Sequence, residues 1–97
     1  MKAAVLKSPK NLALMDLPTP RCPPGGALIR VEACAVCGTD IKMLDQGHRD
    51  LCYPRILGHE VVGRIEEIDR KVQADGRQFR AGELVQVWPG IACGHCH

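Results

Sequence analysis

Residues that could bind a metal ion concentrate at two places, and the first contains Cys37, His59 and Glu60. Thiolate, imidazole and carboxylate groups hold zinc in proteins, and a catalytic zinc keeps three protein ligands and an open fourth position. Gly38 follows Cys37 and Gly58 precedes His59, so both side chains are expected where a strand meets a loop. Spacing alone favours a plainer interpretation, a buried structural cysteine and a satisfied core histidine, because the two residues are far apart in the chain.

The second place is residues 93–97, with the sequence CGHCH. A CxxC turn supplies two of the four ligands of a structural tetrahedral zinc site, and here those ligands would be Cys93 and Cys96. A second cysteine pair does not follow in the sequence, so a disordered, truncated tail is the alternative. The chain has six cysteines and no recognisable export signal, which favours metal ligands or reactive thiols over a disulfide framework.

Cys34 and Cys37 also have CxxC spacing. A zinc ribbon would need about 15–20 residues before the next pair, and Cys93 is much further away. If both residues lie on one strand, three positions apart, their side chains face opposite sides. A thioredoxin-like role would need a βαβ pattern, which is missing. Cys34 is therefore predicted to be structural, and Cys22 and Cys52 have no partner motif.

The elements that must position these residues are short strands separated by glycine and proline turns. Strands are predicted at residues 3–6, 12–15, 27–36, 61–68 and 84–88, with a charged loop at 69–79. Thr39 is predicted to cap a short helix, and Gly63 is predicted to mark a bulge or a close backbone approach. The pattern is typical of a mainly β, barrel-like domain.

Composition narrows the possible partners. The chain has 97 residues, enough for one domain, and a formal charge of +2. This charge balance and three aromatic residues give no indication of nucleic-acid binding. No apolar run approaches the length of a membrane span, and residues 1–7 do not resemble a secretory signal. We therefore expect a cytoplasmic protein with neither nucleic-acid nor membrane partners.

Three motifs in register resemble the zinc-dependent medium-chain alcohol and polyol dehydrogenases. They are CGTD at residues 37–40, GHEVVG at 58–63 and ACGHC at 92–96, with supporting matches at 31–36, 54–57 and 79–85. The resemblance implies a GroES-like fold, a partly open β-barrel with one or two short helices. It also implies that residues 1–97 are an incomplete N-terminal part of the catalytic domain, with the structural-zinc lobe truncated and the Rossmann domain absent.

The same resemblance implies roles for individual residues. Cys37 and His59 match catalytic-zinc ligands, and Glu60 matches a carboxylate that binds the metal or lies just behind it. Thr39 matches the hydroxyl that passes the substrate proton towards solvent, and Asp40 matches the carboxylate that orients a ligand imidazole. Cys93 and Cys96 match the first two ligands of the structural zinc.

The implied reaction is hydride transfer between a small alcohol, polyol or carbonyl substrate and NAD or NADP, with zinc as Lewis acid. The isolated fragment is not expected to be active, and its exposed apolar surface is expected to cause self-association. The parent enzyme is expected to be a homo-oligomer. The alternative is a non-catalytic zinc-binding or structural GroES-like module.

Overall fold

The computed structural model describes residues 1–74, 76–90 and 93–95. Strands and one helix follow in the order β1 (Lys2–Ser8), β2 (Asn11–Asp16), β3 (Ala27–Ala35), α1 (Gly38–Gln46), β4 (Arg55–Ile56), β5 (Glu60–Ile68), β6 (Gln73–Ala74), β7 (Arg77–Gln78) and β8 (Leu84–Gln86). Within these residues the strands form two three-stranded sheets, β2-β1-β4 and β3-β5-β8, and the hairpin β6-β7. The predicted mainly β fold is confirmed, and the sheets within the described residues are open rather than closed into a complete barrel.

The first sheet is an antiparallel hairpin extended by β4. The turn between β1 and β2 places Lys10 at φ 62, and its backbone N–H donates to the carbonyl of Leu44 at 2.6 Å. This bond ties the hairpin to the last turn of α1. On the other edge, Val5 of β1 pairs with Ile56 of β4, so the segment leading to His59 begins on this sheet.

The second sheet is built on the long antiparallel pair of β3 and β5. The register runs from Ala27 opposite Ile68 to Ala35 opposite Glu60. Gly63 is one of its buried residues, and a Cβ atom there would overlap the backbone oxygen of Arg30. The predicted close approach at Gly63 is therefore confirmed, because only glycine lets the two backbones lie this near.

Helix α1 begins two residues earlier than the sequence indicated. Its N-cap is Cys37, with an extended backbone at φ −94 and ψ 157, so the prediction of Thr39 as N-cap is wrong. The helix ends at Gly47, which has φ 72 and donates its N–H to the carbonyl of Met43, as a glycine after a helix commonly does.

Other elements also differ from the prediction at their ends or in kind. The predicted strand at 84–88 is shorter, because β8 ends at Gln86, and the predicted loop at 69–79 contains the hairpin β6-β7. Few apolar side chains are buried. The buried apolar core among the described residues consists of Ala3, Val5, Leu6 and Ile65. No helix among the described residues is both long and apolar enough to cross a lipid bilayer.

Candidate metal centre

Cys37 lies where β3 gives way to α1. The strand ends at Ala35, two residues earlier, so Cys37 does not continue it. The expectation that Cys34 and Cys37 face opposite sides of one strand is therefore wrong. As the N-cap residue, Cys37 points its thiol at the first turn of the helix, where unpaired backbone N–H groups favour negative charge.

His59 and Glu60 lie where β5 begins. Gly58 has φ 113, a conformation that side chains disfavour, and it turns the chain from β4 into β5. Because β3 and β5 are antiparallel, with Ala35 opposite Glu60, the end of one strand adjoins the start of the other. Cys37 is thereby brought next to His59 although they are distant in sequence.

The three predicted ligands converge. Ligand atoms of Cys37, His59 and Glu60 all lie within 4.8 Å of one another. Cys37 and His59 are half-buried, whereas Glu60 is exposed, and the His59 side chain is 34% exposed. The cluster therefore lies at the surface of this domain, open to an incoming ligand on one side and supported by protein on the other.

Asp40 contacts both Cys37 and His59, and it is the one buried charged residue among those described. Its Oδ2 accepts a hydrogen bond from the backbone N–H of Cys37 at 2.9 Å. Its Oδ1 lies 3.4 Å from Nδ1 of His59. A carboxylate at N3 that accepts from the N-cap N–H is half of a capping box, so Asp40 fixes the start of the helix and faces the imidazole at once.

Electrostatics favour an ionised thiol. The backbone N–H of Thr39, then its hydroxyl, then His59 lower the pKa of Cys37, against the opposing effects of desolvation and Glu60. The Oγ1 of Thr39 lies 3.7 Å from the Cys37 sulfur. Contact with Cys37 raises the pKa of His59; desolvation opposes this, and the charge of Asp40 adds to it. A metal binds the thiolate of a cysteine and the neutral imidazole of a histidine, so the lowered pKa of Cys37 favours binding, whereas any proton held by His59 must be released when the metal binds.

The second predicted site is visible only in part. The backbone N–H of His95 donates to the sulfur of Cys93 at 3.4 Å, and Gly94 between them has φ 74. A tight turn with an N–H directed at a cysteine sulfur suits a metal-binding thiolate. Cys96 lies outside the described residues, as does His97.

The remaining cysteines are placed apart from these groups. Cys34 is exposed, and its sulfur lies against Gly58, where a Cβ atom would be only 2.7 Å away. The sulfur of Cys22 lies 3.5 Å from the carbonyl of Gly26 in the proline-rich linker, and Cys52 is exposed in the loop before β4. The structure gives none of the three a place in the candidate metal centre.

Sequence reasoning missed two features of this site, namely the N-cap position of Cys37 and the contact of Asp40 with the backbone N–H of Cys37. The spacing of CGTD contained a signal for both. A capping box ordinarily joins a serine or threonine at the N-cap to an acidic or amide side chain three positions later. In CGTD the thiol of Cys37 stands in place of the hydroxyl, and Asp40 supplies the carboxylate.

Comparison with known proteins identifies the protein family that this chain resembles. The family described as the alcohol dehydrogenase GroES-like domain matches residues 23–97. Sorbitol dehydrogenase of Bacillus subtilis is 35% identical over 99% of this chain and 27% of its own length.

Two solved structures are similar in fold. An alcohol dehydrogenase of Thermotoga maritima has a TM-score of 0.85 and 33% identity, over 98% of this chain and 27% of that one. Zinc-dependent alcohol dehydrogenase 2 of Streptococcus pneumonia has a TM-score of 0.82 and 29% identity, over 100% of this chain and 27% of that one.

These matches, together with the fold, place the chain in a known class. It belongs to the GroES-like domain family of the zinc-type medium-chain alcohol dehydrogenases. The chain spans about a quarter of the length of the relatives it matches.

Proposed function

We propose that the chain carries the catalytic-metal part of a zinc-dependent oxidoreductase, which transfers hydride between an alcohol or polyol and NAD or NADP. The observation that supports this most directly is the convergence of Cys37, His59 and Glu60 within 4.8 Å. Residues 1–97 would be the N-terminal part of the catalytic domain, and the nucleotide would bind elsewhere in the polypeptide. One relative is named sorbitol dehydrogenase. Sorbitol is a polyol, and this supports a small hydroxylated compound as the substrate of the proposed enzyme.

The donor set fits zinc. One thiolate, one imidazole and one carboxylate are the nitrogen, sulfur and oxygen ligands that zinc takes, and three protein ligands leave a position open for substrate. Magnesium and calcium prefer oxygen ligands alone, so the thiolate argues against both. Cys37 and His59 would hold the metal, and Glu60 would be a third ligand. When bound, zinc supplies Lewis-acid chemistry by polarising the oxygen of the substrate.

The chain's own residues would hold and move protons around that metal. Asp40 would hold Nδ1 of His59 as the protonated nitrogen, which leaves Nε2 for the metal. Thr39, whose exposed hydroxyl lies 3.7 Å from the sulfur of Cys37, would accept the proton released by the substrate alcohol and pass it to solvent. Cys93 and Cys96 would belong to a second, structural zinc site, completed by cysteines outside residues 1–97.

Cobalt titration of the intact, metal-free polypeptide tests the catalytic site. Co²⁺ accepts the same ligands as zinc, and a thiolate ligand gives it a charge-transfer absorption band. We expect Cys37→Ala and His59→Ala to abolish binding at this site, whereas the exposed Cys52→Ala leaves it intact. The Cys93 and Cys96 site contributes equally to all variants, so a cobalt stoichiometry and band intensity unchanged from wild type in both Cys37→Ala and His59→Ala would rule out the assignment.

Catalysis is tested separately on the zinc-loaded, intact polypeptide. We expect reduction of NAD or NADP with at least one member of a panel of alcohols and polyols, and loss of that activity in Cys37→Ala. Zinc bound at Cys37 without any turnover across the panel would favour the other candidate, a non-catalytic zinc-binding or structural module.

A further inference from the structure

Two compensating irregularities interrupt the pairing of β3 with β5. Leu28 lies opposite Glu67, but Ile29 lies opposite Ile65, so Glu66 is an extra residue on β5. Further along, Val31 lies opposite Gly63 and Ala33 opposite Val62, so Glu32 is an extra residue on β3.

The first bulge shifts the pairing by one residue, and the second restores it. At the end of the sheet nearest the candidate metal centre, the pairing of β3 with β5 that places Ala35 opposite Glu60 therefore depends on the bulge at Glu32.

Each bulged residue is a glutamate that pairs with an arginine on the opposite strand. Glu32 Oε1 lies 2.9 Å from Nε of Arg64, whereas Glu66 Oε1 lies 3.9 Å from Nε of Arg30. Arg30 and Arg64 are themselves directly opposite each other, an arrangement of like charges that destabilises a sheet. The two glutamates neutralise this repulsion from the two bulged positions.

The pair formed by Glu32 and Arg64 is the better anchored of the two. Besides its 2.9 Å contact with Glu32, Arg64 donates from Nη1 to the carbonyl of Gly82 at 3.0 Å. Gly82 lies in the turn before β8 and donates its own N–H to the carbonyl of Ile65 at 2.7 Å. Arg64 thereby connects the bulge on β3 to the neighbouring turn across β5.

The consequence for the metal centre is geometric. If the bulge at Glu32 were lost by a slip of β3, Ala35 would pair with His59 instead of Glu60. A slip of one residue moves the strand by about 3.3 Å and reverses the side chains. Cys37, two residues beyond β3, would then leave the cluster that it forms with His59.

From these contacts we infer that Glu32 and Arg64 are positioning residues, whose ion pair holds the β3 bulge and thereby sets the distance between Cys37 and His59. This inference rests on the proposed metal site. Gly63, which allows the two backbones to meet at the bulge, contributes space rather than charge. Neither Glu32 nor Arg64 belongs to the candidate metal centre itself, so their effect on metal binding would act through strand pairing.

The test reverses one charge on each pair in the intact polypeptide. Glu32→Arg places a third positive charge beside Arg30 and Arg64, and Glu66→Arg does the same at the other bulge as a matched control. We expect Glu32→Arg to weaken Co²⁺ binding about three- to tenfold, the size typical of a lost ion pair with added repulsion. Glu66→Arg should leave Co²⁺ affinity unchanged, and the double variant Glu32→Arg/Arg64→Glu should restore it.

A second measurement reports the strand register without metal. Cross-strand nuclear Overhauser effects between Ala35 and Glu60 should weaken in metal-free Glu32→Arg and persist in Glu66→Arg. If Glu32→Arg does not fold, the milder Glu32→Gln replaces it in both measurements. Equal Co²⁺ affinity and unchanged Overhauser effects in the Glu32 and Glu66 variants would overturn the inference. Failure of the wild type to bind Co²⁺ would instead count against the proposed function, and the Overhauser effects would still decide the register.

Discussion

Oδ1 of Asp40 lies 3.4 Å from Nδ1 of His59, while the other oxygen of the same carboxylate accepts the backbone N–H of Cys37. One buried side chain therefore contacts two of the three residues proposed as ligands of the catalytic metal, in two different parts of the fold. A carboxylate behind a ligand imidazole fixes its orientation and tautomer and increases its basicity.

Replacing Asp40 should therefore weaken metal binding. Asp40→Asn keeps an oxygen for the Cys37 N–H but removes the charge that faces His59, and we expect zinc affinity to fall about 10- to 100-fold. Competition with a chromophoric chelator measures that affinity. Asp45→Asn is the matched control, because Asp45 lies on the same helix, is exposed and pairs with Lys10 at 3.4 Å. Equal affinities in the two variants would show that Asp40 has no role at the metal.

The close contact at Gly63 gives a prediction about stability. A methyl group there would overlap the backbone oxygen of Arg30 and approach the side chain of Ile29, and backbone cannot move aside as a flexible side chain can. We expect Gly63→Ala to lower the free energy of unfolding by about 1–3 kcal/mol, the usual cost of overpacking. Urea denaturation measures this.

Gly38→Ala serves as the comparison for Gly63→Ala. Nothing lies within 4 Å of a Cβ atom at Gly38, and the residue is helical. Alanine is the better helix former by about 1 kcal/mol, so Gly38→Ala should be neutral or stabilising. A Gly63→Ala protein as stable as the wild type would mean that the two strands can separate without cost.

Acid should weaken the contact between Gly25, in the segment before β3, and Asp69, which directly follows β5. The carboxylate of Asp69 accepts the backbone N–H of Gly25 at 2.7 Å and that of Lys71 at 3.0 Å. These two bonds, Gly25 first, lower the pKa of Asp69, against a smaller effect of desolvation. A carboxyl whose pKa is lower in the folded state stabilises the protein above its unfolded pKa, and this stabilisation is lost as the pH falls through the folded pKa.

The free energy of unfolding should therefore decrease less steeply on acidification in Asp69→Asn than in the wild type. Urea denaturation at several pH values, from about pH 7 down to about pH 2, measures both slopes. Asp16→Asn is the control, because Asp16 is exposed and pairs with the side chain of Lys2 at 3.2 Å. The same slope in wild type and Asp69→Asn would contradict the assignment.

The sequence was sufficient to predict which residues of the candidate site lie together, but not all of the contacts that hold them there. Spacing alone favoured a plainer interpretation, and it was the resemblance of the ordered motifs to the zinc-dependent dehydrogenases that predicted a common site for Cys37, His59 and Glu60. The bulge at Glu32 could not be predicted, since it depends on how β3 pairs with a strand some thirty residues later. The helix start was misplaced at Thr39 because cysteine is an uncommon N-cap residue.

The apolar surface of this domain gives the last prediction. Leu14 on the edge strand β2 is 73% exposed, and Leu12 beside it is 50% exposed. Within the described residues β2 has a neighbour on one side only, so its other edge presents unpaired backbone groups together with apolar side chains. Such an edge is a template for pairing with another chain.

We therefore expect residues 1–97, produced alone, to self-associate in a concentration-dependent way through β2. Leu14→Lys should shift the protein towards monomer, because a lysine on an edge strand opposes edge-to-edge pairing. Val36→Lys, at an equally exposed site outside any strand, controls for the added charge. Sedimentation velocity measures the distribution. Either of two results would show that the β2 edge does not drive association. One is a wild-type domain that stays monomeric at high concentration, and the other is a fraction of monomer as high in Val36→Lys as in Leu14→Lys.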